Sequence, residues 1–197
     1  MTKSCVYDFE TMSQDVLNGV VICLASLNFD EDRFITNPYT FQELVDQCQL
    51  IKFDVKEQVQ KYNRTIDPDT VDWWSKQSKE SQKILKPSNE DVSITELYTF
   101  LIDNVKIQEC DKVYTRGGMF DPMFMESILK CYGKSDPAKW WTYRDTRSLF
   151  DGMTWGSDIK NTFIPKELES IFIKHDPCHD IAMDVMRYQI LAQALHV

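Results

Sequence analysis

No two cysteines of this 197-residue sequence lie close together; the six occupy positions 5, 23, 48, 110, 131 and 178. That spacing excludes a Cys-x-x-Cys redox motif and the closely spaced ligand pairs of a structural zinc site. The N-terminus shows no export signal, so the thiols read as reduced and the protein as cytoplasmic. No apolar run exceeds the one over residues 20–25, whereas a bilayer span needs about 20 residues; no membrane association is expected. Glycine (6) and proline (7) are few and scattered. With no repeat or linker, residues 1–197 read as a single domain. Cations are scarce too: 22 Lys and Arg against 31 Asp and Glu give a net charge of −9. A protein that coats duplex nucleic acid through a broad basic surface is thereby excluded. Local binding is not, because carboxylates that hold divalent cations present a positive site to phosphate.

What is present has the pattern of an α/β domain. Residues 3–9 and 19–28 read as strands, the second apolar enough to be central. A further short strand is expected near 33–36, and a possible edge strand at 51–53. Residues 40–48 and 54–62 have helical spacing, and Asp67-Pro68 starts another helix. Ile94, Leu97, Leu101 and Val105 mark an amphipathic helix over 93–105. A strand at 112–115, a helix over 121–132 and a last helix over 181–195 complete the reading.

The informative residues are acids at the ends of these elements. Asp8 and Glu10, two apart on a strand, share one face and can converge on a cation; taken alone they read equally as a solvated strand end. Asp121 follows the pair Gly117-Gly118 and precedes Pro122, which also suits a plain helix N-cap. In residues 175–184, Asp180 as a helix cap places Asp184 one turn inside and His179 just ahead of it. That cluster alone is also a charged helix face. Together, several carboxylates at element ends are what a two-cation site needs, because magnesium prefers oxygen ligands. Two ions about 3.5–4 Å apart promote phosphodiester hydrolysis, and a neutral imidazole can accept the attacking water's proton.

The ordered set Asp8-Phe9-Glu10-Thr11, Asp121 and His179-x4-Asp184 resembles the DEDDh group of 3′→5′ exonucleases, which have the ribonuclease H-like fold, a mixed β-sheet flanked by α-helices. A wider set is similar to the phage exonuclease A (DexA) family over most of the chain. It comprises Asp8 to Met12, Ile51-Lys52-Phe53-Asp54, Val71 to Ser78 with the paired Trp73-Trp74, Pro87 to Val92, Arg116-Gly117 with Phe120-Asp121, and His175-Asp176 followed by His179-Asp180. The resemblance implies that Asp8, Glu10, Asp121 and Asp184 hold two divalent cations, Mg²⁺ or Mn²⁺, with His179 as general base. It implies a single-stranded 3′ end as substrate, DNA ahead of RNA, and nucleoside 5′-monophosphates as products. It leaves a homodimer open.

Other residues carry weaker signals. Thr11, Met12, Trp73, Trp74, Arg116 and Phe120 are the candidates to contact substrate; core packing is the alternative for Met12, Phe120 and either tryptophan, and a plain surface position for Arg116. Trp73 and Trp74 are adjacent, so one turns inward while the other reaches the substrate edge, where a base can stack on it. Residues 140–147 place cations past a probable strand, with Arg144 or Arg147 paired to a local acid. Cys178 beside His179 is not read as a nucleophile, and His175 is read as structural or solvent-facing. The competing functions are an exoribonuclease and a non-catalytic nucleic-acid-binding module; the intact set of acids disfavours the latter.

Overall fold

The computed structural model describes residues 2–195. Strands β1 (Lys3–Thr11), β2 (Val21–Asp30), β3 (Gln49–Lys52), β4 (Lys112–Thr115) and β5 (Tyr143–Asp145) form one sheet in the order β3-β2-β1-β4-β5. β2 runs antiparallel to both β1 and β3, whereas β4 pairs parallel with β1 and β5 parallel with β4. Helices cover both faces, which explains why β2 is apolar almost throughout. The α/β class with a mixed sheet flanked by helices is the one expected.

The strand period of two decides where the acids go. Cys5, Tyr7 and Phe9 of β1 enter the core beneath helix α6 (Phe120–Lys130). Val6 points the other way, into the core formed with α2 (Phe41–Gln47) and α8 (Pro177–Leu195). Asp8 and Glu10 take the Val6 side, facing α8. A bulge between Glu10 and Thr11 then ends the regular pairing with β2.

Helix starts follow capping chemistry. Asp54 accepts from Glu57 N to open α3 (Val55–Tyr62), Asp67 accepts from Asp69 N ahead of Pro68 to open α4 (Pro68–Ser75), and Asp145 accepts from Ser148 N to open α7 (Thr146–Met153). Ile94, Leu97, Leu101 and Val105 are buried as expected, but the run over 94–105 is composite. It is 3₁₀ at Ile94–Glu96, α at Leu97–Thr99 (α5) and π at Phe100–Val105, and ends on Lys106 with φ 54°.

Four expectations are corrected. Residues 33–36 are a helical turn, α1 (Arg33–Thr36), and not a strand: only Phe34 faces the core, and Thr36 bonds back to the Asp32 carbonyl. Asp121 is not a cap; α6 begins one residue earlier, at Phe120. Helix α8 begins at Pro177 rather than 181, because Asp176 Oδ1 accepts from the N–H groups of Cys178 and His179. His179 and Asp180 therefore lie inside its first turn. Finally, Cys48 after α2 and Cys178 in α8 form a disulfide with Cα atoms 5.6 Å apart. Cys5, Cys23, Cys110 and Cys131 are free thiols. His196 lies outside the described residues. Among the described residues, no helix is long and apolar enough to cross a membrane.

Candidate active site

Where β1 and β4 end, a cleft of about 410 Å³ is lined by Asp8, Arg116, Lys174, His175, Asp180 and Asp184, among others. A second hollow of about 340 Å³ is lined by Glu10, Thr11, Gln14, Trp73 and Phe120. The two meet where Trp73 packs on His175. Asp121, in the first turn of α6, accepts from Phe9 N at 3.1 Å, which fixes its carboxylate beside the strand between Asp8 and Glu10.

Four carboxyl groups here crowd one another with little compensation. Burial raises the Asp8 pKa well above its ordinary value, and Asp121, Glu10 and Asp180 raise it further. Burial does the same to Glu10, helped by Asp180 and Asp121. Asp121 is pushed up to about 7 by burial against the opposing bond from Phe9. Asp180 is also pushed up to about 7, by burial first and then by Asp184, against the bond from His175 N. Among the described residues no hydrogen bond or ion pair reaches the side chains of Asp8 and Glu10, so burial first, and then repulsion among the acids, stands without offset there. This donor set of hard oxygens, in which Arg187 offsets only Asp180 and only in part, fits a divalent cation. Among the described residues, no three such side chains are yet gathered closely enough to hold one as they stand.

Asp184, the fourth acid expected, has a different environment. It is 4% exposed; its Oδ1 accepts from Arg187 at 2.8 Å and Arg116 at 3.0 Å, and its Oδ2 accepts from Thr146 at 2.8 Å. The cost of burying this charge is met by two guanidinium groups, so the unpaired state that would call for a metal does not arise. Arg116, expected to bind substrate phosphate, spends itself on Asp184 and on Asn161, although it still lines the cleft.

His179 does not reach the cleft. Its Nδ1 accepts from Ile173 N at 3.1 Å, and its ring packs against Phe41 and Phe172. His175 does reach it. Its φ of 64° puts a non-glycine residue in the left-handed region, a strained geometry that clusters at functional sites. Asp180 Oδ2 holds it there by accepting from His175 N at 3.0 Å. The segment contains two overlapping His-x4-Asp patterns, His175/Asp180 and His179/Asp184, and residue counting cannot choose between them. Both aspartates line the cleft with Asp8, but of the two histidines His175 lines it and His179 does not.

The remaining expected contacts divide. Trp73 is 42% exposed on the hollow, whereas Trp74 is 1% exposed and its Nε1 donates to the Thr11 carbonyl at 2.9 Å. Phe120 and Thr11 line the hollow beside Trp73. Met12 does not; it lines a separate cavity with Lys52 and Phe53. Arg144 donates to the carbonyls of Trp141 and Tyr143 instead of pairing with an acid. Arg147 lies beside Gly117, with Nη2 3.7 Å from where a Cβ would stand.

A family model described as the 3′-5′ exoribonuclease Rv2179c-like domain matches residues 3–188. The exodeoxyribonuclease of Enterobacteria phage T4 is 32% identical over 198 residues, covering 92% of this chain and 85% of that protein. Among solved structures, Escherichia coli exonuclease I with a 5cy-dT13 oligonucleotide superposes with a TM-score of 0.60 at 12% identity, over 100% of this chain and 42% of that one. The zinc-bound exonuclease I–single-stranded DNA complex gives 0.57 at 13%, over 98% and 40%. The chain thus spans about two fifths of those structures, and the likeness establishes a shared fold.

Proposed function

The chain belongs to the family of the 3′-5′ exoribonuclease Rv2179c-like domain and is a 3′-5′ exonuclease of nucleic acid; from that premise we propose that it hydrolyses single-stranded DNA from the 3′ end to nucleoside 5′-monophosphates. The observation that carries the chemistry is the buried, mutually repelling set of Asp8, Glu10, Asp121 and Asp180 beside His175. These four acids would hold two divalent cations, Mg²⁺ or Mn²⁺. When bound, the ions supply Lewis acidity to the scissile phosphodiester and offset the charge that builds on it.

The chain's own groups do the rest. His175 lines the cleft, and its pKa is lowered by burial and by Lys174. The imidazole is therefore neutral near pH 7 and can accept a proton from the attacking water. This role, expected for His179, passes to His175 on position, and the fourth ligand passes from Asp184 to Asp180. Trp73 and Phe120 offer aromatic surface to the terminal base, a contact that tolerates any sequence.

DNA is favoured because the relative matched along most of its length is an exodeoxyribonuclease. The family description favours RNA as the second reading. The test is incubation of 5′-labelled single-stranded DNA and RNA of one sequence with Mg²⁺. A ladder shortening from the 3′ end of DNA is expected. Faster shortening of RNA would reverse the substrate assignment, and persistence of cleavage in EDTA would overturn the cation chemistry.

A further inference from the structure

Beyond the cleft, the sheet edge at β5 bears a group of side chains that the cutting chemistry leaves unused. In a chain of net charge −9, Lys139, Arg144 and Arg147 are exposed, and none forms a salt bridge among the described residues. Trp140 is 81% exposed and Trp141 56%. Their rings stand edge-to-face, at 89° with centroids 5.6 Å apart, and Lys139 Nζ lies 6.0 Å from the Trp141 centroid, so the aromatic surface left for a base is chiefly that of Trp140.

The group is continuous with the cleft. Arg116 lines the cleft, and the next two residues, Gly117 and Gly118, donate their N–H groups to Asp145 Oδ1 at the end of β5. Arg147 lies against Gly117. Arg144, one residue before Asp145, reaches back to the Trp141 carbonyl at 2.8 Å. Trp141 and Trp140 thus stand four and five residues before Asp145, in the 3₁₀ turn that leads into β5.

We infer that Trp140, Trp141, Arg144 and Arg147 form a landing track for the part of a nucleic-acid single strand lying 5′ of the terminal nucleotides. Cations free of salt bridges beside exposed aromatic rings are the chemistry that holds such a strand without reading its sequence. The inference rests on the exonuclease reading and extends it: residues in the cleft decide cutting, and the track decides how well a long strand is held. It assigns the chain its own means of discriminating substrates by length.

The test separates holding from cutting. Wild-type protein and Trp140→Ala/Trp141→Ala are titrated in EDTA with fluorescent (dT)20 and (rU)20, and hydrolysis of (dT)20 and (dT)3 is followed with Mg²⁺. The double variant is expected to bind the 20-mers about 10-fold more weakly or worse, at roughly the worth of one stacked base. KM for (dT)20 rises alongside, while kcat/KM for (dT)3 is unchanged. Arg144→Gln gives a second, independent reading: the slope of log affinity on log salt falls by about 0.7 for one lost single-strand phosphate contact. Equal 20-mer affinity in variant and wild type overturns the track even if cleavage proceeds normally. An equal loss on (dT)3 overturns it in favour of a structural role. A variant that shifts the oligomeric state in light scattering, with 20-mer affinity intact, reassigns the face to a protein contact. Weakened binding in a protein that cleaves nothing would keep the track and remove the nuclease reading.

Discussion

The Trp73 ring stands T-shaped against the His175 imidazole, with centroids 4.8 Å apart and planes at 72°. An exposed aromatic wall and the only histidine that faces the acids thereby become one unit among the described residues. A base stacked on that wall would lie next to the group proposed to take the proton.

The two histidines should separate cleanly by mutation. His175→Ala is expected to lower kcat by about 10²-fold or more, the usual worth of a positioned general base, with thermal stability retained. His179→Ala removes the acceptor for Ile173 N and an aromatic packing partner, so Tm should drop while kcat per folded molecule persists. Steady-state kinetics beside differential scanning fluorimetry decides; the reverse pattern would restore His179 to the reaction.

The two acids of α8 make a parallel pair. Asp180→Asn should abolish turnover and weaken Mn²⁺ binding by calorimetry. Asp184→Asn leaves Arg187, 7% exposed, without its counter-charge, at a cost of about 3–5 kcal/mol. Urea unfolding should show that loss for Asp184→Asn and little for Asp180→Asn.

Stability of the metal-free protein should depend on pH in an unusual direction for carboxylates. Asp121 and Asp180 titrate at about 7 in the fold, against roughly 4 when unfolded. Between those values the native state holds protons that the unfolded chain has released, so stability falls as pH rises from about 4 to 7. Mn²⁺ should therefore raise Tm more at pH 8 than at pH 5, as melting curves with and without the ion would show. A metal-free Tm that rises over pH 4–7 would contradict the crowding of these acids.

The paired tryptophans predict opposite phenotypes. Trp73→Ala should raise KM with the fold intact. Trp74→Ala empties a fully buried site and frees the Thr11 carbonyl, costing about 3–5 kcal/mol.

Cys48→Ala/Cys178→Ala should lower Tm, because the link closes a loop of 130 residues, and such cross-links typically contribute about 2–4 kcal/mol. Equal melting temperatures with and without reductant would argue against the link in solution.

Much of this was legible from residue order. Period-two alternation placed Asp8 and Glu10 on one face, and Asp67-Pro68 announced α4. What stayed hidden depends on tertiary neighbours. Asp121 looked like a cap because its bond to Phe9 crosses 112 residues. The choice between two His-x4-Asp registers rests on where α8 begins, set by Asp176, and on the neutralisation of Asp184 by Arg187 one turn on and by Arg116, 68 residues away. The Cys48–Cys178 pair left no spacing signal, since the fold alone brings α2 to α8.

The sheet order puts Asp8 and Glu10 on its middle strand, while Arg144 sits on its outermost strand with Trp141 just ahead of it. Residues gripped on both sides are hard to exchange without dismantling the domain; a border segment can be traded piecemeal. Descendants of this chain are thus free to retune how long a polymer they prefer while inheriting the same blade.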